Sequence, residues 1–296
     1  MFEKMLFRYR IGDERSINAF MEDKLYFSTP EYFNDPFDSY AYVNYNNLFG
    51  NINFDLDNSL EDFLEKNQLE IFPLVTNYNK EYLLDLSKNK SNRKEFFKNI
   101  QEMVADVSKK ITQNSKIICF SEEYLSNLMW AHYANYHQGF LLMYDKNDLR
   151  KALVFDSKNE KLVKKLKLKK VTYSDEMYDF GEFMYGYLSQ RYNKDILKIY
   201  IPMLLKMLSV KTIDWQYEKE WRLCSIPEDI ENVDKASYIS IKPYAIFVGA
   251  RMPVDQRWNI YNIAKKKGIA VFEVWCNSRE SKYKPESVNP DSQVLA

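Results

Sequence analysis

Apolar and polar positions along this chain follow two periods. Short apolar runs bounded by turn residues, with side chains alternating between two faces, predict strands at Met5–Tyr9, Leu25–Thr29, Lys116–Ser121, Phe140–Tyr144, Tyr238–Ile241, Tyr244–Val248 and Ile269–Trp275. Apolar residues at helical spacing predict helices over Glu14–Met21 and Pro253–Lys267. Phe96, Phe97, Ile100, Met103, Val104, Val107 and Ile111 predict another over Arg93–Thr112. Ser126 and Asn127 can cap a helix that runs to about Asn135, before Gly139 stops it. Phe183–Val210 reads as a long aromatic helix pair or a kinked helix, with Pro202 as the break. Its best apolar run, Ile199–Val210, is far shorter than the roughly 20 residues of a membrane span.

One stretch alternates in charge as well as polarity. Asp214–Arg222, DWQYEKEWR, reads as a strand. A strand would put Glu218, Glu220 and Arg222 on one face and Tyr217, Lys219 and Trp221 on the other. Two carboxylates about 7 Å apart on one face raise each other's pKa and can divide acid–base and electrostatic roles. The structural alternative is a solvated face on which Arg222 pairs with a glutamate.

Strands cluster at both ends with helices between, so the expected fold is α+β with a mixed or antiparallel sheet. A single domain is expected over residues 1–276, with a helical insertion at about 44–114 and a loose polar tail at 277–296. Lys plus Arg and Asp plus Glu are both 42, so the chain as a whole has no electrostatic pull toward nucleic acid or an anionic membrane. Three cysteines, far apart and without a CxxC, fit reduced thiols in a cytoplasmic protein. The first ten residues, MFEKMLFRYR, lack the apolar core of a signal peptide.

The chain carries no GxGxxG, GxxxxGK[ST] or GxSxG, which removes support for dinucleotide-fold, P-loop and α/β-hydrolase readings. The only histidines, His132 and His137, are five apart and not the four of a helical metal pair. Arg8 and Arg10 share a face of the first strand, and arginine is the planar reader of phosphate. PEYFNDPFD is a turn-rich loop with ring anchors and the carboxylates Asp35 and Asp38.

The blocks FSTPEYFNDPFD, CFSEEYLSNLMWAHYANYHQGF, KTIDWQYEKEWRL and YAIFVGARM resemble the successive blocks of a bacterial family called domain of unknown function 2971. A second resemblance is to toxin-type ADP-ribosyltransferases, which carry an early-strand Arg, a Ser opening a Ser-Thr-Ser strand and a Glu-x-Glu strand. That likeness implies an ADP-ribosyltransferase-like core. It implies NAD as substrate, with no metal and no membrane, bound by Arg8 or Arg10 at the pyrophosphate. Ser121, Glu218 and Glu220 would be the catalytic group, and CFSEE departs from the pattern in lacking the Thr-Ser continuation. Tyr26, Ser28, Asn34, Asp35, Trp130, His132, Tyr133, His137 and Arg222 would complete the nucleotide site, with Tyr26, Tyr133 or Trp130 stacking on nicotinamide. The acceptor would be protein, nucleic acid or water, in a toxin or phage-defence setting. Two alternatives stand beside this one. The first is a metal-dependent nuclease or phosphodiesterase using Asp35, Asp38, His132, His137, Glu218 and Glu220. The second is a nucleotide or phage-protein sensor without turnover.

Overall fold

The computed structural model describes residues 2–39, 42, 98, 102, 105–176, 178, 179, 181, 196–226, 234–277 and 282–288. Within them the chain is α+β, as the pattern predicts. The strands are β1 (Met5–Arg10), β2 (Lys24–Tyr26), β3 (Lys116–Ser121), β4 (Phe140–Asp145), β5 (Leu153–Phe155), β6 (Lys161–Leu162) and β7 (Lys167–Lys170). They continue as β8 (Thr172–Tyr173), β9 (Val210–Lys211), β10 (Glu220–Ser225), β11 (Tyr238–Ser240), β12 (Ala245–Val248), β13 (Ala270–Asn277) and β14 (Lys282–Val288). The helices are α1 (Glu14–Met21), α2 (Asn127–Tyr133), α3 (Lys146–Lys151), α4 (Ile196–Met207) and α5 (Val254–Lys267).

One sheet dominates, in the order β14-β13-β12-β4-β1-β3-β10-β7. It is mixed: β12 and β13 run parallel and the other neighbours antiparallel. A smaller sheet runs β2-β11-β5-β6. The larger of two buried clusters holds Leu6, Ile118, Leu142, Leu223 and Ile246 against Ile17 and Phe20 of α1 and Ile260 and Ala264 of α5. The other holds Phe7, Leu141, Phe247 and Val274 against Trp130 and Ala134. Helix α1 starts where Asp13 accepts a hydrogen bond from the Ser16 amide at 2.9 Å.

The ladder weakens at one place in the middle of the large sheet. β1 meets β3 only at Phe7↔Ser121, whereas β1 with β4 and β3 with β10 each pair along six positions. Along the same edge of β3, Ile117 pairs with Ser28 instead, through bonds of 2.9 and 2.8 Å. The sheet therefore opens a slit between β1 and β3, and a cavity forms there.

Four expectations need correction. Residues 214–218 are not strand: Ile213–Glu218 is a 3₁₀ turn, Lys219 is left-handed at φ 43°, and the strand begins at Glu220. The ladder with β3 ends at Glu220↔Ser121, and beyond it the Glu122 amide donates to the Lys219 carbonyl at 3.1 Å, where the left-handed residue turns the chain away. Tyr217 accordingly packs on His132 and Trp215 and not in the core. Helix α4 runs through Pro202, since a missing N–H removes one rung and leaves its neighbours. The helix after Ser126 ends at Tyr133, short of Asn135, in a left-handed run at Asn135, Tyr136 and His137. The polar tail is not loose throughout: β14 pairs with β13 from Val271↔Val288 to Asn277↔Lys282.

Gly139 is required by close approach: a Cβ there would lie 2.0 Å from the Arg10 carbonyl oxygen. Of the predicted helical insertion, residues 98, 102 and 105–114 are helical and the remainder lies outside the described residues. Residues 182–195 of the aromatic helix region also lie outside them. Among the described residues, no helix is long and apolar enough to cross a membrane.

Candidate functional site

The slit widens into a cavity of about 400 Å³. Arg8 and Tyr9 of β1 line it, with Cys119, Phe120 and Ser121 of β3. His132 and Tyr133 of α2, Lys211 of β9, Glu218 and Glu220 complete one side. The loop after β2 adds Tyr32, Phe33, Asn34 and Asp38. Three sequence blocks that are distant in the chain thus meet at one place.

Charge fills the floor. Arg222 is fully buried and grips two carboxylates, each with two hydrogen bonds. It reaches Asp38 at 2.7 and 2.6 Å and Glu220 at 2.9 and 3.0 Å. It also donates to the Leu208 carbonyl at 2.8 Å and the Ser39 hydroxyl at 3.2 Å, while the Phe33 ring sits 5.3 Å from the guanidinium centre. Such a buried cation is tolerated only because its donors are satisfied by this many acceptors.

Lys211 takes the third carboxylate. Its Nζ lies 2.7 Å from Glu218 Oε2, 3.6 Å from Glu220 and 3.7 Å from Asp38. The Tyr133 hydroxyl donates to Glu218 Oε1 and accepts from Asn34 Nδ2 at 3.2 Å. A continuous chain therefore runs from Asn34 through Tyr133 and Glu218 to Lys211.

The two glutamates sit in opposite environments. Burial raises the Glu218 pKa above the usual carboxyl value, helped by Glu220, and Lys211 and Tyr133 offset this only in part. Burial acts the same way on Glu220, but the Arg222 guanidinium outweighs it and holds the carboxyl below the usual value. Burial and the Glu218 carboxylate push the Tyr133 phenol well up, so it stays a proton donor. Glu220 is thus fixed as an anion and Glu218 is the group that can change charge.

Arg8 reaches into the slit, where it donates to the Cys119 carbonyl left unpaired by the split, at 2.7 Å. Its Nε–H is buried and has no partner among the described residues. Burial, reinforced by Arg10, lowers its pKa to about 10. Of the two candidate phosphate readers, Arg8 lines the cavity and Arg10 does not.

The Ser121 hydroxyl is already committed. It donates to the Glu218 carbonyl at 2.5 Å and accepts from the Glu123 amide at 2.8 Å, so it anchors the turn that carries Glu218.

Several expected contacts lie elsewhere. Tyr26 packs at a tilt against Tyr238 and Ser28 pairs with Ile117, and neither is among the residues lining the cavity. Asp35 is buried and caps its own loop at the Phe37 amide, 2.9 Å away. Trp130 is buried, with its indole N–H on the Tyr124 carbonyl at 2.8 Å. None of these four is among the residues lining the cavity. The two histidines separate as well: His132 is at the exposed rim, while the His137 carbonyl accepts from the Arg251 amide at 3.0 Å. Among the described residues, no three His, Cys, Asp or Glu side chains converge in a way that could hold a metal ion.

Lys211 is not singled out by the sequence pattern, and Asp38 enters it as a loop carboxylate and in the metal-dependent alternative. A signal existed for Lys211, a charge that directly follows the largely apolar stretch LLKMLSV just before the WxYEKEWR block.

The fold and cavity define an α+β protein built around a buried charge cluster at a split sheet. Residues 129–223 match the family model described as Protein of unknown function (DUF2971), the family that the sequence blocks resemble. That stretch contains Tyr133, Lys211, Glu218, Glu220 and Arg222, while Arg8, Asn34, Asp38 and Ser121 lie before it. No curated protein and no solved structure matches the chain.

Proposed function

We propose that this cavity takes NAD⁺ and transfers its ADP-ribosyl group to an acceptor or to water, in a toxin or phage-defence setting. The reading rests on one convergence. Arg8, Ser121, Glu218 and Glu220 come to a single cavity from β1, β3 and the turn entering β10, with the two glutamates in opposite charge environments.

A cavity of about 400 Å³ lies within the roughly 300–1,000 Å³ of small-molecule sites. It suits the nicotinamide-ribose end, with the rest of the dinucleotide along the open rim. The unpartnered Arg8 N–H faces a phosphate oxygen. A flat ring stacks on Tyr32 or His132 at the mouth. When the glycosidic C–N bond breaks, its electron pair leaves with nicotinamide, and positive charge develops on the ribose. Glu220, kept ionised by Arg222, stabilises that charge. Glu218 accepts the proton of the attacking hydroxyl or water as the new C–O bond forms. Ser121 holds the Glu218 turn in place.

The test is incubation of the full chain with NAD⁺, following nicotinamide release. Release that disappears in Glu220→Gln supports the reading. A folded protein that releases no nicotinamide refutes turnover. The saturation of Asp38 and Glu220 by Arg222 favours one second reading, a nucleotide-binding module without chemistry. It predicts a rise in melting temperature with NAD⁺ and no nicotinamide.

A further inference from the structure

We infer that Lys211 is a positioning residue that holds the Glu218 carboxylate toward the cavity and fixes its charge state. Lys211 is 3% exposed on a two-residue strand, β9. The strand is pinned along its β8 edge: the Thr172 amide donates to the Ser209 carbonyl at 2.8 Å and the Ser174 amide to the Lys211 carbonyl at 3.1 Å. The Trp215 ring lies 4.5 Å from Nζ and shields it further. A lysine this enclosed has one arrangement open to it, and that arrangement points at carboxylates.

Its partners are not equivalent. Asp38 and Glu220 already receive two hydrogen bonds each from Arg222, and Lys211 stands 3.6 Å or more from both. The Arg222 donors go to Asp38, Glu220, Ser39 and Leu208, and none goes to Glu218. Among the described residues, Lys211 is therefore the cation hydrogen-bonded to Glu218, at 2.7 Å.

The other groups facing Glu218 are neutral, negative, or cations that make no hydrogen bond to it. Tyr133 donates from α2, Tyr217 precedes Glu218 in the turn, and Tyr173 approaches from β8. Glu220 and Asp38 bring negative charge, countered by Arg222. His132 and Arg8 stand across the same cavity. Without Lys211, Glu218 would lose its hydrogen-bonded cation while Glu220 stays close, and Glu218 would hold its proton to higher pH. In the reaction proposed above, on which this consequence rests, a protonated Glu218 could not accept the acceptor's proton.

The experiment reads Glu218 directly. Full-length protein labelled with ¹³C-glutamate is titrated by NMR, with the Glu218 signal assigned by its loss in Glu218→Gln. In Lys211→Met the Glu218 midpoint should rise by about one pH unit or more, a tenfold gain in proton affinity, and Lys211→Arg should return it toward the wild-type value. An unchanged midpoint in Lys211→Met overturns the assignment. If Lys211→Met does not fold, Lys211→Met/Glu218→Gln should recover the fold by removing the stranded carboxylate, and failure to recover overturns it equally. A second arm follows nicotinamide release against pH. The ascending limb should move up with the Glu218 midpoint in Lys211→Met, lowering kcat at neutral pH with little change in KM. A shifted midpoint in a protein whose wild type releases no nicotinamide supports the Lys211 assignment and refutes the NAD⁺ reading.

Discussion

Two buried ionic groups sit at opposite ends of β10, and they differ in how their charges close. At the C-terminal end, Asp234 takes Lys164 at 2.6 Å and the Ala236 amide at 2.8 Å on one oxygen, and the Ser225 hydroxyl at 2.8 Å on the other. One anion meets one cation, and hydrogen-bond donors reach both carboxylate oxygens. At the N-terminal end, Asp38, Glu218 and Glu220 share Arg222 and Lys211, so three carboxylates face two cations. This second group opens into a cavity, and Asp234 is not among the residues lining it. A closed pair is a structural staple. An uneven cluster beside open space leaves one group, Glu218, able to gain or lose a proton. The same burial thus closes the charges at one end of the strand and leaves a titratable carboxyl beside a cavity at the other.

The comparison can be broken by removing each cation. Arg222→Met strands both Asp38 and Glu220 in the interior and is expected to cost about 3–5 kcal/mol in urea unfolding. Lys164, with its side chain 18% exposed, should cost visibly less when changed to Met. Equal losses would mean that the two groups are energetically alike.

Activity should separate them further. Glu220→Gln keeps shape and removes charge, and nicotinamide release should fall about 10²–10³-fold. Asp234→Asn should lower stability without a comparable loss of rate per folded molecule. A rate loss of similar size in Asp234→Asn would erase the distinction.

The pH dependence sharpens it. Glu218 has a folded pKa raised above its ordinary value of 4.5, so it contributes stability that is fully present below 4.5 and is lost as pH rises through the folded pKa. Glu220 has a folded pKa below 4.5 and contributes stability above 4.5 that is lost as pH falls. Thermal melts from acid to neutral pH should show Glu218→Gln removing a decline on the alkaline side of 4.5. Glu220→Gln should instead remove a decline on the acid side. A Glu218→Gln curve parallel to wild type would place Glu218 among the closed pairs.

Arg8→Lys is expected to have the smallest effect. Lysine keeps the charge and loses the planar fork, so NAD⁺ affinity measured by calorimetry should drop about tenfold, or 1.4 kcal/mol. Arg10→Lys, away from the cavity, should leave it unchanged.

Much of this arrangement was legible in the chain. Apolar runs bounded by turn residues locate β1, β3, β4 and β12, the last two buried on both faces, and helical spacing locates α1, which buries one face. The convergence of FNDPFD, WAHY and the EKEWR segment followed from their shared mix of rings and polar groups. The error at DWQYE has a physical origin. Alternation of Tyr217, Lys219 and Trp221 is equally compatible with a strand and with a 3₁₀ turn whose side chains stand against His132 and Trp215. Lys211 could not be ranked among 42 basic residues by type alone, since its role comes from three carboxylates contributed by other segments. Trp130 and Tyr26, by contrast, carried the ring chemistry of a stacking platform but are consumed by packing.

The single rung at Phe7↔Ser121 has a mechanical meaning. On either side of it, β1 with β4 and β3 with β10 are fully laddered panels, so the large sheet behaves as two plates joined at a crease. A plate resists shear through all its rungs together, but a crease yields one rung at a time. Breathing of the cavity walls can therefore proceed without loosening either plate. Amide hydrogens along the crease should exchange with solvent ahead of those in the β4 and β10 ladders.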